Sequence, residues 1–164
     1  MDRTQAHREK DVRICVANIG DAPQIAACLE EAFAPFRALY APEAYADTVP
    51  SIDGLSLRIA SMRVLVAVAD DQVVGTIAGA VNERGEGHLR GMAVLPQWQG
   101  SGIATQLLTA IENDLRAQRC LRVTLDTTSP LERAIRFYQS HGYRRTGVIG
   151  DFYGMPLYEF AKDL

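Results

Sequence analysis

The chain has 164 residues, 48% of them hydrophobic and 23% charged, and a formal net charge of −3. That length suits one domain able to bury a core without disulfide or metal staples, and an acidic balance with no basic stripe excludes charge-driven nucleic-acid binding. No apolar run approaches the roughly 20 residues of a membrane helix, and the polar, mixed-charge opening MDRTQAHREKD is unlike a signal peptide. Residues 1–11 read as a frayed tail and residues 12–164 as a single domain. Cys15, Cys28 and Cys120 are odd in number and widely spaced, which predicts reduced, buried thiols in a cytoplasmic protein, with no disulfide framework and no metal site.

In chain order, VRICVANI reads as a strand. The helix DAPQIAACLEEAFAPF follows, with Asp21 as its cap, Gln24 closing a capping box, and Ile25, Cys28, Leu29, Ala32, Phe33 and Phe36 on one face. RALYAPEAYADTVPS, interrupted by Pro42 and Pro50, predicts a loop or broken helix, and IDGLSLRIAS a helix. Two β-rich runs flank DDQ as a hairpin, and NERGEG leads to a third strand, HLRGMAV, completing an antiparallel meander. The helix beginning at Gly102 carries Ile103, Leu107, Leu108, Ile111 and Leu115 on one side, and Glu112, Asn113, Arg116 and Gln118 on the other. LRVTLD is a strand. SPLERAIRFYQSHG is a helix with Pro130 in its first turn and Gly142 as its stop, and two strands around GDFYG close the chain. The order predicts an α+β fold with a mixed, mainly antiparallel sheet.

Gly100 and Gly102 raise a question, because they stand where a good amphipathic helix starts. A helix N-terminus offers free N–H groups and a positive dipole end, so side chains removed there can admit a phosphate. For two isolated glycines taken alone, a plain strand-to-helix turn with no ligand is the commoner reading. GxxxxGK[ST] is absent, which excludes the usual nucleoside-triphosphate loop. GSGIAT fails the dinucleotide pattern at its last position and follows a meander rather than a βαβ unit, which disfavours a nucleotide-binding oxidoreductase.

The residues around the glycines carry more. Gln97, Gly100 and Gly102 fill a [Q/R]-x-x-G-x-[G/A] signature, followed by the small Ala104, and Ala134, Tyr138 and the pair Gly142–Tyr143 fill an A-x-x-x-Y…G-aromatic element. Together, from about Val12 onward, they resemble the GNAT superfamily of acyl-CoA-dependent N-acyltransferases. The resemblance implies a sheet splayed between its fourth and fifth strands, with helices on both faces. It implies acetyl-CoA as co-substrate, its pyrophosphate held around Gln97, Gln99, Gly100, Ser101, Gly102, Ile103, Ala104 and Thr105. Its pantetheine arm would run along Met92, Ala93 and Val94, with an amide of Ala93 or Val94 polarising the thioester carbonyl. Tyr138 would protonate or steady the leaving thiolate. Leu131 stands where many relatives have a cofactor-contacting asparagine.

Acetylating an amine requires the amine to be neutral, so a base is useful. His88 begins the fourth strand, and an ordinary imidazole pKa of about 6.5 suits that work. Strand alternation predicts one face for His88, Arg90, Met92 and Val94. Glu83, Glu86 or Asp126 could act instead through water. The family places the acceptor between the first helices and the last hairpin, which nominates Arg37, Tyr40, Tyr45, Asp151, Phe152 and Tyr153. The expected activity is therefore acetyl transfer to a primary amine, on a small molecule or a protein, by direct attack in a ternary complex, from a monomer or homodimer with no membrane partner. A catalytically silent acyl-CoA-binding module is the alternative. It would need the glycines but neither Tyr138 nor a base.

Overall fold

The computed structural model describes residues 11–164. The expected tail, Asp11 apart, lies outside the described residues. Seven strands form one sheet in the order β1-β2-β3-β4-β5-β7-β6. The strands are β1 (Arg13–Val16), β2 (Arg63–Ala69), β3 (Gln72–Val81), β4 (Gly87–Val94), β5 (Arg122–Thr127), β6 (Arg144–Phe152) and β7 (Met155–Asp163). Every neighbouring pair is antiparallel except β4 and β5, which run parallel. Five α-helices complete the described fold: α1 (Ala22–Phe33), α2 (Pro42–Thr48), α3 (Ile52–Ser61), α4 (Ile103–Ala117) and α5 (Glu132–Ser140). None is long and apolar enough to cross a membrane.

Local chemistry explains most boundaries. Asp70 and Asp71 both adopt positive φ (49° and 60°) and form the two-residue turn between β2 and β3, a conformation that matches the twist of a hairpin. Central β3 is buried from Val73 to Ala78, so its sequence carries no polar face except Thr76, whose hydroxyl bonds the Leu65 carbonyl (2.9 Å). Both faces of β3 are covered. α1 packs on β3 and β4, and α4 packs on β2 and β3, where Gly75 and Gly79 let Ile103, Leu107 and Ile111 come close. The segment expected to be a loop or broken helix is a 3-10 turn (Ala34–Leu39) followed by α2.

Four expectations need correction. The first helix is capped a turn early: Asp21 accepts from the Asn18 amide (2.9 Å) ahead of a 3-10 turn, while Gln24 Oε1 accepts from the Val73 amide (2.8 Å) and ties α1 to β3. Pro130 precedes α5 in a turn closed by the Leu131 amide on the Thr128 carbonyl (3.1 Å), and does not lie inside the helix. Cys15 is only partly buried, unlike Cys28 and Cys120. Glu112 does not face solvent. It sits four residues after Leu108, at the margin of the apolar stripe, where β7 and the start of β6 close over it. Its carboxylate is bridged by Lys162 Nζ at 2.7 and 3.1 Å, and Tyr143 donates to it at 3.4 Å.

A buried pair of this kind is costly to half-remove. Glu112→Ala is expected to lower unfolding free energy by roughly 3 kcal/mol in urea titrations, because Lys162 loses its only close carboxylate among the described residues. The double variant Glu112→Leu, Lys162→Met should recover most of that loss.

Candidate functional site

The site begins where two strands part. β4 and β5 pair only at Gly87↔Val123, His88↔Thr124 and Leu89↔Leu125. Beyond Leu89, β4 stays with β3 while β5 continues beside β7 to Thr127, leaving a gap in the sheet. A β-bulge in β4 accompanies the parting. Arg90 opposes Ala78 and Ala93 opposes Thr76, so Gly91 and Met92 together face one β3 residue. This overturns the expected alternation. His88, Arg90 and Ala93 oppose Ala80, Ala78 and Thr76 on one face of β3, whereas Val94 opposes Gly75, which lies under α4. The extra residue of the bulge shifts the side-chain parity.

Backbone direction follows from the same register. The Leu95 amide donates to the Val74 carbonyl (2.9 Å). By strand alternation the Ala93 amide also faces β3, and the N–H and C=O of Val94 point into the gap. The Val94 carbonyl is taken up by Gln99 Nε2 (3.2 Å), and Gln99 Oε1 accepts from Arg133 Nη1 (3.0 Å).

At the near end of the gap, Gly100 and Gly102 both have positive φ (79° and 86°), and no atom lies within 4 Å of where either Cβ would stand. The first bond of α4 runs from the Gln106 amide to the Gly102 carbonyl (3.1 Å), with no side-chain cap. The amides of Ile103, Ala104 and Thr105 therefore have no acceptor within the helix. Ser101 Oγ donates to the Trp98 carbonyl and folds the loop onto itself.

From this loop a cleft of about 760 Å³ passes through the gap to the other face of the sheet. Of the residues nominated from sequence, Gln99, Gly100, Gly102, Ile103, Ala104, Thr105, Met92, Ala93, Val94, His88, Tyr138, Tyr40 and Phe152 line it. Gln97, Ser101, Arg37, Tyr45, Asp151 and Tyr153 do not. Arg37 instead stacks over the Tyr45 ring (5.2 Å to its centroid), and the buried Tyr45 hydroxyl has no partner among the described residues. Tyr153 is in the exposed turn between β6 and β7. Tyr138 is 8% exposed, and its hydroxyl donates to the Met92 sulfur at 3.1 Å. Burial holds its pKa well above that of a free phenol. His88 Nδ1 hydrogen-bonds Thr124 Oγ1 (2.7 Å), and Nε2 lies 3.5 Å from Asp126 Oδ2. Tyr40 and Thr128 share a buried 2.6 Å hydrogen bond across the cleft wall.

Residues 25–143 match the acetyltransferase (GNAT) family. The chain belongs to that family. An uncharacterised N-acetyltransferase of Methanocaldococcus jannaschii is 35% identical to this GNAT chain over 89 residues, 54% of the chain and 56% of that protein. The matched segment thus spans little more than half of that relative. An IAA acetyltransferase of Azospirillum brasilense is 32% identical over 112 residues, 68% of the chain and 73% of that protein. Among solved structures, the PaiA N-acetyltransferase of Thermoplasma acidophilum, in complex with coenzyme A, shares the fold with a TM-score of 0.79. Its identity is 18%, with 94% of this chain and 99% of that chain covered.

Several residues of this GNAT cleft escaped the sequence reading. Asp47, Arg58 and Arg133 line it from three separate elements, Thr124 holds His88 from behind the lining, and no local spacing links any of them to the glycine loop. Asp126 was legible only as one acid among several. Its carboxyl is pushed above the usual carboxylate range by burial, against the pull of His88 and with a further push from Glu159. An acid raised in this way holds its proton more tightly folded than unfolded. Its contribution to stability is complete below the unfolded pKa and is lost as pH rises through the folded one. At pH 7, above the unfolded pKa, the carboxyl of Asp126 is therefore a burden. Asp126→Asn is expected to melt at or above the wild-type temperature at pH 7, by no more than about 2 °C because solvent screens a carboxylate that is not fully enclosed. The difference should close as the pH approaches about 4. A lower melting temperature at pH 7 would mean that the contact with His88 outweighs burial.

Proposed function

We propose that residues 12–164 work as one N-acetyltransferase domain that moves the acetyl group of acetyl-CoA to a primary amine by direct attack in a ternary complex. The observation that carries this reading is the open seat at Gly100 and Gly102, where free helix amides and vacant space meet one end of a cleft through the sheet. That seat fits a pyrophosphate, since it supplies donors without side chains. Bound there, acetyl-CoA supplies an acetyl group activated as a thioester.

The chain's own groups then divide the work. The Val94 amide, aimed into the gap, donates to the thioester carbonyl oxygen, a role typically worth about 3 kcal/mol. The exposed edge of β4 around Met92 accepts the pantetheine arm much as it would an added strand. His88 takes the proton that the acceptor nitrogen releases as the new C–N bond forms. Asp126 beside Nε2 and Thr124 on Nδ1 orient the ring. As the C–S bond breaks, its electron pair stays on sulfur. Tyr138 then serves as a hydrogen-bond donor rather than a full acid. A phenol (roughly 10) is already a weaker acid than a thiol (roughly 8.5) and burial raises Tyr138 further, so complete transfer would run uphill. Its present partner, a thioether sulfur, is a weak acceptor easily exchanged for a thiolate.

Acetyl-CoA titrated into the protein by calorimetry should bind, and Gly100→Trp should abolish that binding. The bulky ring would project into the seat, and the left-handed backbone adds only about 1–2 kcal/mol of strain. Tyr138→Phe should lower kcat about 10- to 100-fold, as expected for one hydrogen bond to a charged atom, with little change in the KM for acetyl-CoA. His88→Gln should lower kcat/KM. A folded wild-type protein that does not bind acetyl-CoA would overturn the reading.

A further inference from the structure

The far end of the cleft, on the face of the sheet opposite α4, brings two guanidiniums together. Arg58, in the last turn of α3, lays its guanidinium on the β4 bulge, where a Cβ on Gly91 would come within 2.6 Å of Arg58 Nη1. Arg90 sits on β4, on the face it shares with His88. The only carboxylate that meets either guanidinium among the described residues is Asp47 on α2, and it contacts Arg90 alone, through a single long approach of 3.4 Å. Arg58 has no ion-pair partner there. Burial and the neighbouring Arg90 draw its pKa down to about 10, with Asp47 opposing. Asp126, the other carboxylate of the lining, faces His88, so Arg58 stands in the wall of the cleft without a carboxylate in contact, an arrangement that an incoming anion would complete.

What surrounds these cations narrows the anion. His88 and Arg90 are alternate residues on one strand face, so their Cα atoms stand about 7 Å apart. The group that His88 deprotonates and the group that Arg90 and Arg58 receive must then lie a few bonds apart in one molecule. Phe33, Phe36, Tyr40 and Phe152 line the rest of this end and offer an apolar surface. We propose that Arg58 and Arg90 clamp the carboxylate of the acceptor, and that the acceptor is a free α-amino acid with an apolar or aromatic side chain. Resting on the acetyl-transfer reading above, this makes the products an N-acetylamino acid and coenzyme A. The amine loses one proton, and the carboxylate remains ionised throughout.

Two ligand pairs test the clamp. In the presence of coenzyme A, N-acetyl-L-phenylalanine should bind at least about tenfold more tightly than N-acetyl-L-phenylalaninamide by calorimetry. L-Phenylalanine should likewise be acetylated with at least about tenfold higher kcat/KM than L-phenylalaninamide. Arg58→Gln and Arg90→Gln should each reduce both preferences, chiefly through KM, and Arg58→Lys should retain part of them. Melting curves establish that each variant is folded, and the partly exposed Arg90 gives a second variant if Arg58→Gln is not. Equal binding of the two probes, binding of neither, or a preference that survives both glutamine variants overturns the clamp. Acetylation of the amide as fast as the acid sinks the clamp and leaves the transferase reading standing. Carboxylate-selective binding without acetyl transfer to any amine does the reverse.

Discussion

The parting of β4 from β5 is the constraint on which the rest of the site depends. A parallel pair held by three register positions ends at Leu89↔Leu125, and the backbone groups of β4 beyond that point have no strand to bond on one side. Unpaired backbone in a sheet interior is expensive unless something satisfies it. Here Gln99 reaches back to the Val94 carbonyl, while the Val94 amide stays turned into the gap. The bulge at Gly91 and Met92 belongs to the same event. It bends β4, reverses which side chains face which layer, and makes the close seat that the Arg58 guanidinium occupies.

The gap joins two chemically different ends. On the α4 side, the glycine loop offers backbone amides and a helix dipole, with Arg133 held nearby by Gln99. On the opposite side, side chains prevail: the His88–Asp126 contact, the two guanidiniums and an aromatic wall. Backbone donors persist through nearly every side-chain substitution, whereas the side chains of the far end can vary without disturbing the sheet. A family that keeps one acyl donor and changes its acceptor would divide its site in this way. The polar groups of the far end also carry a cost in stability, since Asp126 and Arg58 are both driven toward their neutral forms by burial.

Element order, the apolar stripes of α1 and α4, the hairpin at Asp70–Asp71 and the glycine seat were all legible in the sequence, because each depends on neighbours within a few residues. Periodicity, turn chemistry and capping act over that range. Even within that range a distant element can override the local pattern. Gln24 serves β3 rather than its own helix, and Glu112 turns inward because Lys162, fifty residues later in the chain, meets it.

Tertiary structure alone decided what the open end of the cleft is made of. The bulge in β4 adds one residue to a strand that looks regular in sequence, and that single step moved Val94 away from His88 and Arg90. Asp47, Arg58, His88, Arg90 and Asp126 come from α2, α3, β4 and β5, and only the packing of helices over a split sheet brings them to one cavity. The sequence by itself determined that a helix would begin at two glycines with its first amides uncapped, because the glycines and the amides after them are contiguous. Which charges gather at the far end depends on contacts between residues far apart in the chain, and no local pattern encodes them.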